Sequence, residues 1–408
     1  MSPIPSFFRP EVSPKTMGPR WLLYSYDALG LGHVRRMLSL ARAVLAERPD
    51  LSALLVTCSP QVDALPVPPG LDYIKLPSAR KVGDGAYEPR TLRLDPVSLK
   101  TLRSGLLVDT ARGFEPDLFL VDKSPAGLMD ELLETLPHVH GRARLVLGWR
   151  DILDAPGRVS AEWRERDTLQ VIERYYDEVW VYGDPAVFDL REAYGLPDWL
   201  AERVRYLGYL SPRVDPVLLG QARAAMARNG EPVAVVTAGG GEDGETLIGR
   251  YFEAVRRKLL PRDLRSVVVT GPFMAEAAQR QLRAEAPPGV RLKTFLPGLE
   301  HTLAAADVVI SLAGYNTVCE VLGAGTPAVL VPRLRHREEQ RMRAERLSAL
   351  GLVEHLDMDA LTPRALTDAV SRALGRGRRR CTEARLDGLD RVAAHLRDLL
   401  PVSAEANA

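Results

Sequence analysis

Cysteine is scarce in this chain of 408 residues: Cys58, Cys319 and Cys381 are few and far apart. An odd, scattered set supports neither a disulfide framework nor paired zinc ligands, and it points to a reducing, cytoplasmic setting. Lysine supplies only seven of the 54 basic residues, a skew toward arginine that genomic base composition explains as well as anion recognition does. Net charge is almost absent at +1, so nothing draws the whole molecule to nucleic acid or to an anionic membrane. No apolar run approaches the roughly 18 residues of a membrane span. The first twenty residues carry five prolines and no apolar signal-peptide stretch, so residues 1–19 are expected to be a flexible, dispensable leader.

Apolar residues at 46% and charged residues at 26% are what a folded globular chain carries, and the length suits two domains. From residue 21 short apolar runs alternate with longer amphipathic stretches, the rhythm of a parallel α/β sheet. Strands are expected at 21–26, 51–57, 72–76, 117–121, 144–149 and 178–182. After a Gly and Pro cluster at 206–216 the alternation resumes, with strands at 233–238, 266–270, 290–295, 307–311 and 328–331. The reading is α/β: two Rossmann-like, doubly wound parallel-sheet domains over 20–209 and 210–381, with a cleft between them. Residues 382–408 form a helix and tail expected to pack back toward the N-terminal domain. Ligands of open parallel sheets bind at the carboxyl ends of strands, so the chemistry should sit in the loops that follow them.

Three such loops stand out. DALGLGHVRR (27–36) places Gly30 and Gly32 after a strand, but Arg35 replaces the third glycine of a dinucleotide fingerprint and no acid ends the second strand, which argues against NAD. His33 then stands at a helix start, either as a base for a substrate hydroxyl or as a helix cap. TAGGGEDGE (237–245) brings Gly239, Gly240 and Gly241 to a turn where backbone N–H groups can meet an anion, or which is an ordinary tight turn. It lacks the lysine of a P-loop, and Glu242 and Asp243 would repel a phosphate unless they point away. In LAGYNTVCE (312–320), Gly314 allows a sharp turn, Asn316 and Thr317 open a helix suited to a diphosphate, and Glu320 lies one turn on, where a carboxylate can accept from ribose hydroxyls. The next strand-end loop brings His336, Glu339 and Gln340 to a helix start where they can bind sugar hydroxyls.

This ordered set resembles the GT-B glycosyltransferases, in particular the branch of the peptidoglycan N-acetylglucosaminyltransferase, specifically over 290–353 and diffusely elsewhere. Nucleotide-sugar transferases of this kind hold the donor with H-C-G-W-N-S-x-x-E, which falls on L-A-G-Y-N-T-V-C-E here. The resemblance implies that Gly314, Asn316 and Thr317 meet the diphosphate and Glu320 the ribose. It puts Glu339 and Gln340 on the donor sugar, the backbone at Phe295 and Leu296 on the base, and Gly239 to Gly241 on the phosphate side. The usual Asn-Ala after the acid-Gln pair is Arg343-Ala344. His33 matches the glycine-loop histidine near the acceptor, with Gly32 beside it. Asp122, at the end of DLFLVD, matches by position the aspartate that orients this base in inverting relatives; its alternative is to cap the next helix.

The cation that often helps hold the phosphates is Leu312 here, so another must compensate or the backbone must suffice. Arg150 and Asp151, after the strand ending at 149, either touch acceptor or phosphate or pair with each other; the irregular stretch 77–95 is a candidate acceptor loop. Asp-x-Asp at 357–359 reads as capping, and His138 and His140 lack a third ligand, so no metal is expected. The function implied is an inverting, metal-independent transfer of a sugar from a nucleoside-diphosphate sugar, most commonly a UDP-sugar, to a small-molecule or glycan acceptor. No Glu-x7-Glu pair of the retaining type surrounds Glu320, since positions 312 and 328 are Leu and Ala. No other cofactor is expected. A 2-epimerase or hydrolase on the same fold, and a non-catalytic nucleotide-sugar-binding regulator, are the competing readings.

Overall fold

The computed structural model describes residues 18–26, 31–83, 86–227, 230–333 and 338–401. In the first half, β1 (Arg20–Tyr24), β2 (Ser52–Thr57) and β3 (Leu71–Lys75) are followed by a small antiparallel hairpin, β4 (Ala79–Lys81) with β5 (Tyr87–Pro89). Then come β6 (Leu118–Asp122), β7 (Arg144–Arg150), β8 (Glu178–Tyr182) and β9 (Val204–Tyr206). Apart from the hairpin they make one parallel sheet in the order β3-β2-β1-β6-β7-β8-β9. The second half repeats the plan with β10 (Val233–Thr237), β11 (Arg265–Val269), β12 (Val290–Lys293), β13 (Val308–Ser311), β14 (Ala328–Leu330) and β15 (Glu354–His355), ordered β12-β11-β10-β13-β14-β15. β6, β8, β10 and β13 are buried along their whole length, because helices cover both faces of each sheet and leave no position for an exposed alternation. That is why these strands read as near-continuous apolar runs, with polar residues only at their ends.

Strand order reverses between β1 and β6 and again between β10 and β13, so each domain has a crevice at its carboxyl edge, and the two crevices face each other. The irregular stretch 77–95 departs from expectation by holding the hairpin. β9 and β15, at three and two residues, are too short to produce a periodic signal.

The chain passes between the domains twice. After β9 it runs through Tyr209 to the helix Pro216–Met226; later it returns to the helix Gly388–Leu399, whose Val392, Ala393 and Leu396 share one buried cluster with Val34, Met37, Leu40, Ala41 and Val44 of the N-terminal helix Gly32–Glu47. His395 Nε2 lies 2.7 Å from Glu178 Oε2, and Arg48 Nη1 donates to the Leu400 carbonyl at 2.7 Å. The two passes touch where a Cβ on Gly388 would come within 2.5 Å of the Gly208 carbonyl oxygen, so only glycine fits.

The domains are pinned by a buried ion pair. Arg343, on the helix Glu339–Ala349, donates from Nε and Nη2 to the two carboxylate oxygens of Asp151 at 2.8 and 2.7 Å, and from Nη1 to the Ala313 carbonyl at 2.8 Å. Both side chains are at most 1% exposed. Tyr209 donates its hydroxyl to Asp151 at 3.2 Å and stacks on Tyr315, over which the Arg343 guanidinium also sits. Removing one partner of such a pair strands the other charge, at a cost of about 3–5 kcal/mol. Arg343→Met is therefore expected to lower the melting temperature by on the order of 10 °C, and adding Asp151→Leu should restore most of the loss. An unchanged melting temperature in the single variant would mean that the pair does not hold the domains.

Candidate active site

A cavity of about 420 Å³ fills the cleft between the domains. Its walls come from the start of the Gly32–Glu47 helix, the end of β7, and the loops after β10, β13 and β14. On the N-terminal side, His33 sits in the first turn of its helix, and that helix has no side-chain cap, so the capping alternative is not realised. His33 Nδ1 lies 2.5 Å from Asp122 Oδ2 at the end of β6. Arg36, one turn after His33, donates from Nε and Nη2 to Asp122 Oδ1 at 3.2 and 2.6 Å. Burial raises the carboxyl of Asp122, but Arg36 and His33 outweigh it and hold the group well below the usual carboxylate range. Arg36 Nη2 also lies 2.9 Å from Nδ1, but it already donates to Asp122, whose ionised carboxylate only accepts, so the proton between ring and carboxylate belongs on Nδ1 and Nε2 is left as the basic nitrogen. Burial pushes the imidazole down to about 4, against the pull of Asp122 and with the help of Arg36 and Lys123.

On the C-terminal side, the helix Tyr315–Ala324 begins at Gly314 with no side-chain cap, leaving its first N–H groups to the cavity. Gly314 has φ −66°, which any residue adopts, so no sharp turn requires it; a Cβ there would meet nothing within 4 Å, and what glycine provides is open space at the helix start. Asn316 Nδ2 donates to the Gly32 carbonyl across the cleft at 3.1 Å. Thr317 is buried at the cavity wall. Glu320 is buried; its Oε1 accepts from Arg35 at 2.5 Å, its Oε2 has no hydrogen-bond partner among the described residues, and burial lifts its pKa despite Arg35. Gly239 (φ 62°) and Gly241 (φ 108°) form a turn whose close packing on Thr270 and Gly271 admits only glycine at 241. The cavity is also lined by Gly240, Phe295, Leu296, Glu339 and Gln340.

Residues 234–391 match the glycosyltransferase family 28 C-terminal domain. The UDP-N-acetylglucosamine N-acetylmuramyl-(pentapeptide) pyrophosphoryl-undecaprenol N-acetylglucosamine transferase of Paenarthrobacter aurescens is 34% identical over 35% of this chain and 38% of its own length. Its Halorhodospira halophila counterpart is 30% identical over 49% and 57%, and that of Parabacteroides distasonis 24% over 79% and 80%. The chain thus spans about two fifths to three fifths of the first two relatives. Among solved structures, the kitacinnamycin glycotransferase superposes with a TM-score of 0.61 at 18% identity, covering 94% of this chain and all of that one. Acinetobacter baumannii MurG does so with 0.52 at 16%, covering 94% and 99%. The chain has the GT-B glycosyltransferase fold. It resembles the peptidoglycan N-acetylglucosaminyltransferase branch.

Within this GT-B cleft several sequence expectations change. Asp151 does not face an acceptor, nor does it pair with Arg150: both of its oxygens are taken by Arg343, the residue at the unusual Arg-Ala position. Asp243 of the acidic turn is paired with Arg333 at 3.5 Å, and Arg333 also donates to Glu339 at 3.0 Å, which answers the repulsion expected there. Arg333 N donates to Gln340 Oε1 at 3.3 Å. His336 lies outside the described residues. His138 contacts Arg112, and His140 packs edge-on against Tyr175. In the Asp-x-Asp segment the capping residue is Thr362, which accepts from Ala365 N, while Asp357 pairs with His355. Sequence reasoning passed over Arg35, Arg36 and Arg333. Arg36 had a signal, its three-residue helical spacing from His33; Arg35 and Arg333 pair with residues far away in sequence or on another loop and had none.

The depressed basicity of His33 is directly measurable. Nuclear magnetic resonance titration of its ring, assigned with His33→Gln, is expected to show a neutral imidazole down to pH 5.5 and a midpoint near 4. A midpoint at or above the ordinary 6.5 would contradict the buried, cation-flanked environment.

Proposed function

We propose that this protein is a metal-independent, inverting glycosyltransferase that moves a sugar from a nucleoside-diphosphate sugar, a UDP-sugar being the first choice, to a small-molecule or glycan acceptor. The observation that carries the reading is that a carboxylate-bound histidine and an uncapped helix start face each other across one cavity, His33 with Asp122 on one domain and Gly314 with Asn316 and Thr317 on the other.

In this mechanism the acceptor hydroxyl gives its proton to His33 Nε2 as its oxygen forms a bond to the anomeric carbon. The bond from that carbon to the diphosphate oxygen breaks, and its electron pair leaves with the diphosphate. Attack from the side opposite the leaving group inverts the centre. Asp122, itself held by Arg36, orients the ring and steadies the imidazolium that forms, while the nearby Arg36 charge opposes that protonation. The helix start at Gly314 meets the charge that develops on the leaving diphosphate. Glu320, with one oxygen fixed by Arg35, would take the ribose, and Glu339 and Gln340 the sugar hydroxyls. The glycine turn 239–241 would lie on the phosphate side, the backbone at Phe295 and Leu296 on the base, and Gly32 beside the acceptor.

A thermal-shift screen against UDP, GDP, dTDP, ADP and CMP tests the donor half, since a ligand of the native state raises its stability. One diphosphate should raise the melting temperature, and Glu320→Ala should abolish the shift. His33→Ala should lower transfer by about 10²–10⁴-fold while keeping the shift. Transfer near the wild-type rate in His33→Ala would remove the base assignment, and a wild-type protein that no diphosphate shifts would remove the donor site. Nucleotide release at full rate without acceptor would favour a hydrolase or epimerase.

A further inference from the structure

Among the described residues, five arginines line the cleft cavity: Arg35, Arg36, Arg42, Arg150 and Arg333. Three are neutralised by carboxylates. Arg36 is bound to Asp122, Arg35 to Glu320 at 2.5 Å with Glu300 at 3.9 Å, and Arg333 to Glu339 at 3.0 Å with Asp243 at 3.5 Å. Arg42 is exposed at the rim and donates to the Pro66 carbonyl. Arg150 differs from all four: among the described residues its guanidinium has no hydrogen bond and no ion pair within 4 Å. It stands at the carboxyl end of β7, in the wall shared by the main cavity and a smaller pocket lined by Tyr26, Lys123, Trp149 and Trp163. Its electrostatic neighbours are Glu339, Asp151, Arg343 and Arg36, so it lies between the base cluster and the helix expected to hold the donor sugar. Burial pushes it down to about 10, Arg343 and Arg36 add to this, and Glu339 and Asp151 oppose it.

Arg150 is half-buried on the cavity wall, and a cation partly withdrawn from water without a paired carboxylate is costly, so a fold retains it where something else supplies the counter-charge. The opposite wall has an anion site short of a cation. The helix start at Gly314 offers N–H groups only, and position 312, just before it, is an apolar, buried leucine. A helix dipole provides roughly half a charge, less than a departing nucleoside diphosphate carries.

We infer that Arg150, on the N-terminal domain, is the cation that receives the diphosphate of the donor, completing across the cleft an anion site to which the C-terminal domain, among the described residues, brings no cation free of a carboxylate partner. The inference rests on the donor reading above and deepens it. Of the contacts the sequence left open for Arg150, acceptor or phosphate, it selects the phosphate, and it makes the diphosphate site a property of both domains together. Because Arg150 makes no hydrogen bond or ion pair among the described residues, its loss should weaken the ligand and not the protein.

The test uses the full chain with Arg150→Met and Arg150→Lys. UDP, GDP and dTDP probe the diphosphate, and uridine, guanosine and thymidine the same bases without phosphate. For the diphosphate that shifts wild-type protein, Arg150→Met should weaken binding at least tenfold, leave affinity for the matching nucleoside unchanged, and give a ligand-free melting temperature equal to or above wild type. Arg150→Lys should recover part of the affinity. In turnover the fall should appear in kcat more than in the acceptor KM, because the charge is needed as the diphosphate departs. Wild-type diphosphate affinity in Arg150→Met, an equal loss for nucleoside and diphosphate, a change confined to acceptor KM, or a lowered melting temperature would each overturn the assignment. If Glu320→Ala abolishes the shift while Arg150→Met keeps it, the donor reading stands and this inference alone fails. If no diphosphate shifts the wild type, both fail.

Discussion

The Arg343 to Asp151 pair sets the geometry on which the rest of the cleft depends. Two parallel-sheet domains joined by flexible passes would ordinarily be free to change their relative orientation. Here a bidentate pair at most 1% exposed, backed by the Ala313 carbonyl and enclosed by Tyr209 and Tyr315, fixes the end of β7 against the loop after β13. Such a pair contributes little net stability over an apolar equivalent, because both charges must be stripped of water; what it can contribute is register, since one arrangement satisfies it and slipped ones do not. That register places His33 and Asp122 opposite the helix that starts at Gly314.

A second layer of contacts ties the two sides of the site to one another. Asn316 reaches the Gly32 carbonyl, and Glu320, one turn further along the same helix, is held by Arg35, so both polar groups of the diphosphate-side helix are read by the first turns of the helix that carries His33. On that helix Arg35 faces the C-terminal domain while Arg36 braces Asp122. Neighbouring arginines thus serve opposite walls of one cavity. Among the described residues most cations of the cleft stand in ion pairs; Arg150 on its wall and Arg42 at its rim have no carboxylate partner.

Much of this architecture was legible in the sequence because it is periodic or local. The apolar runs of β1, β2, β6, β7, β8, β10, β11, β13 and β14 announced the two sheets, since a strand buried on both faces tolerates little else. His33, Asp122, Gly314, Asn316 and Glu320 were legible as residues after strands. What escaped was the pairing of charges over long distances. Nothing at position 343 shows that its arginine meets Asp151 rather than a sugar, and nothing at position 35 shows that its arginine meets Glu320, because an ion pair between remote segments leaves no trace in spacing. The short β9 and β15 and the β4–β5 hairpin escaped for a different reason: two or three residues carry too little alternation to be distinguished from loop.

The return of the Gly388–Leu399 helix onto the Gly32–Glu47 helix has a consequence for how the molecule comes into being. During synthesis the N-terminal sheet and its first helix leave the ribosome early, yet the helix Gly388–Leu399 that packs against that first helix emerges only after the whole second domain. For that interval the nascent chain carries an uncovered apolar face, the kind of surface that holdase chaperones recognise. The native arrangement is sealed by an element made after the whole second domain, so a chain terminated before it would carry its own mark for removal.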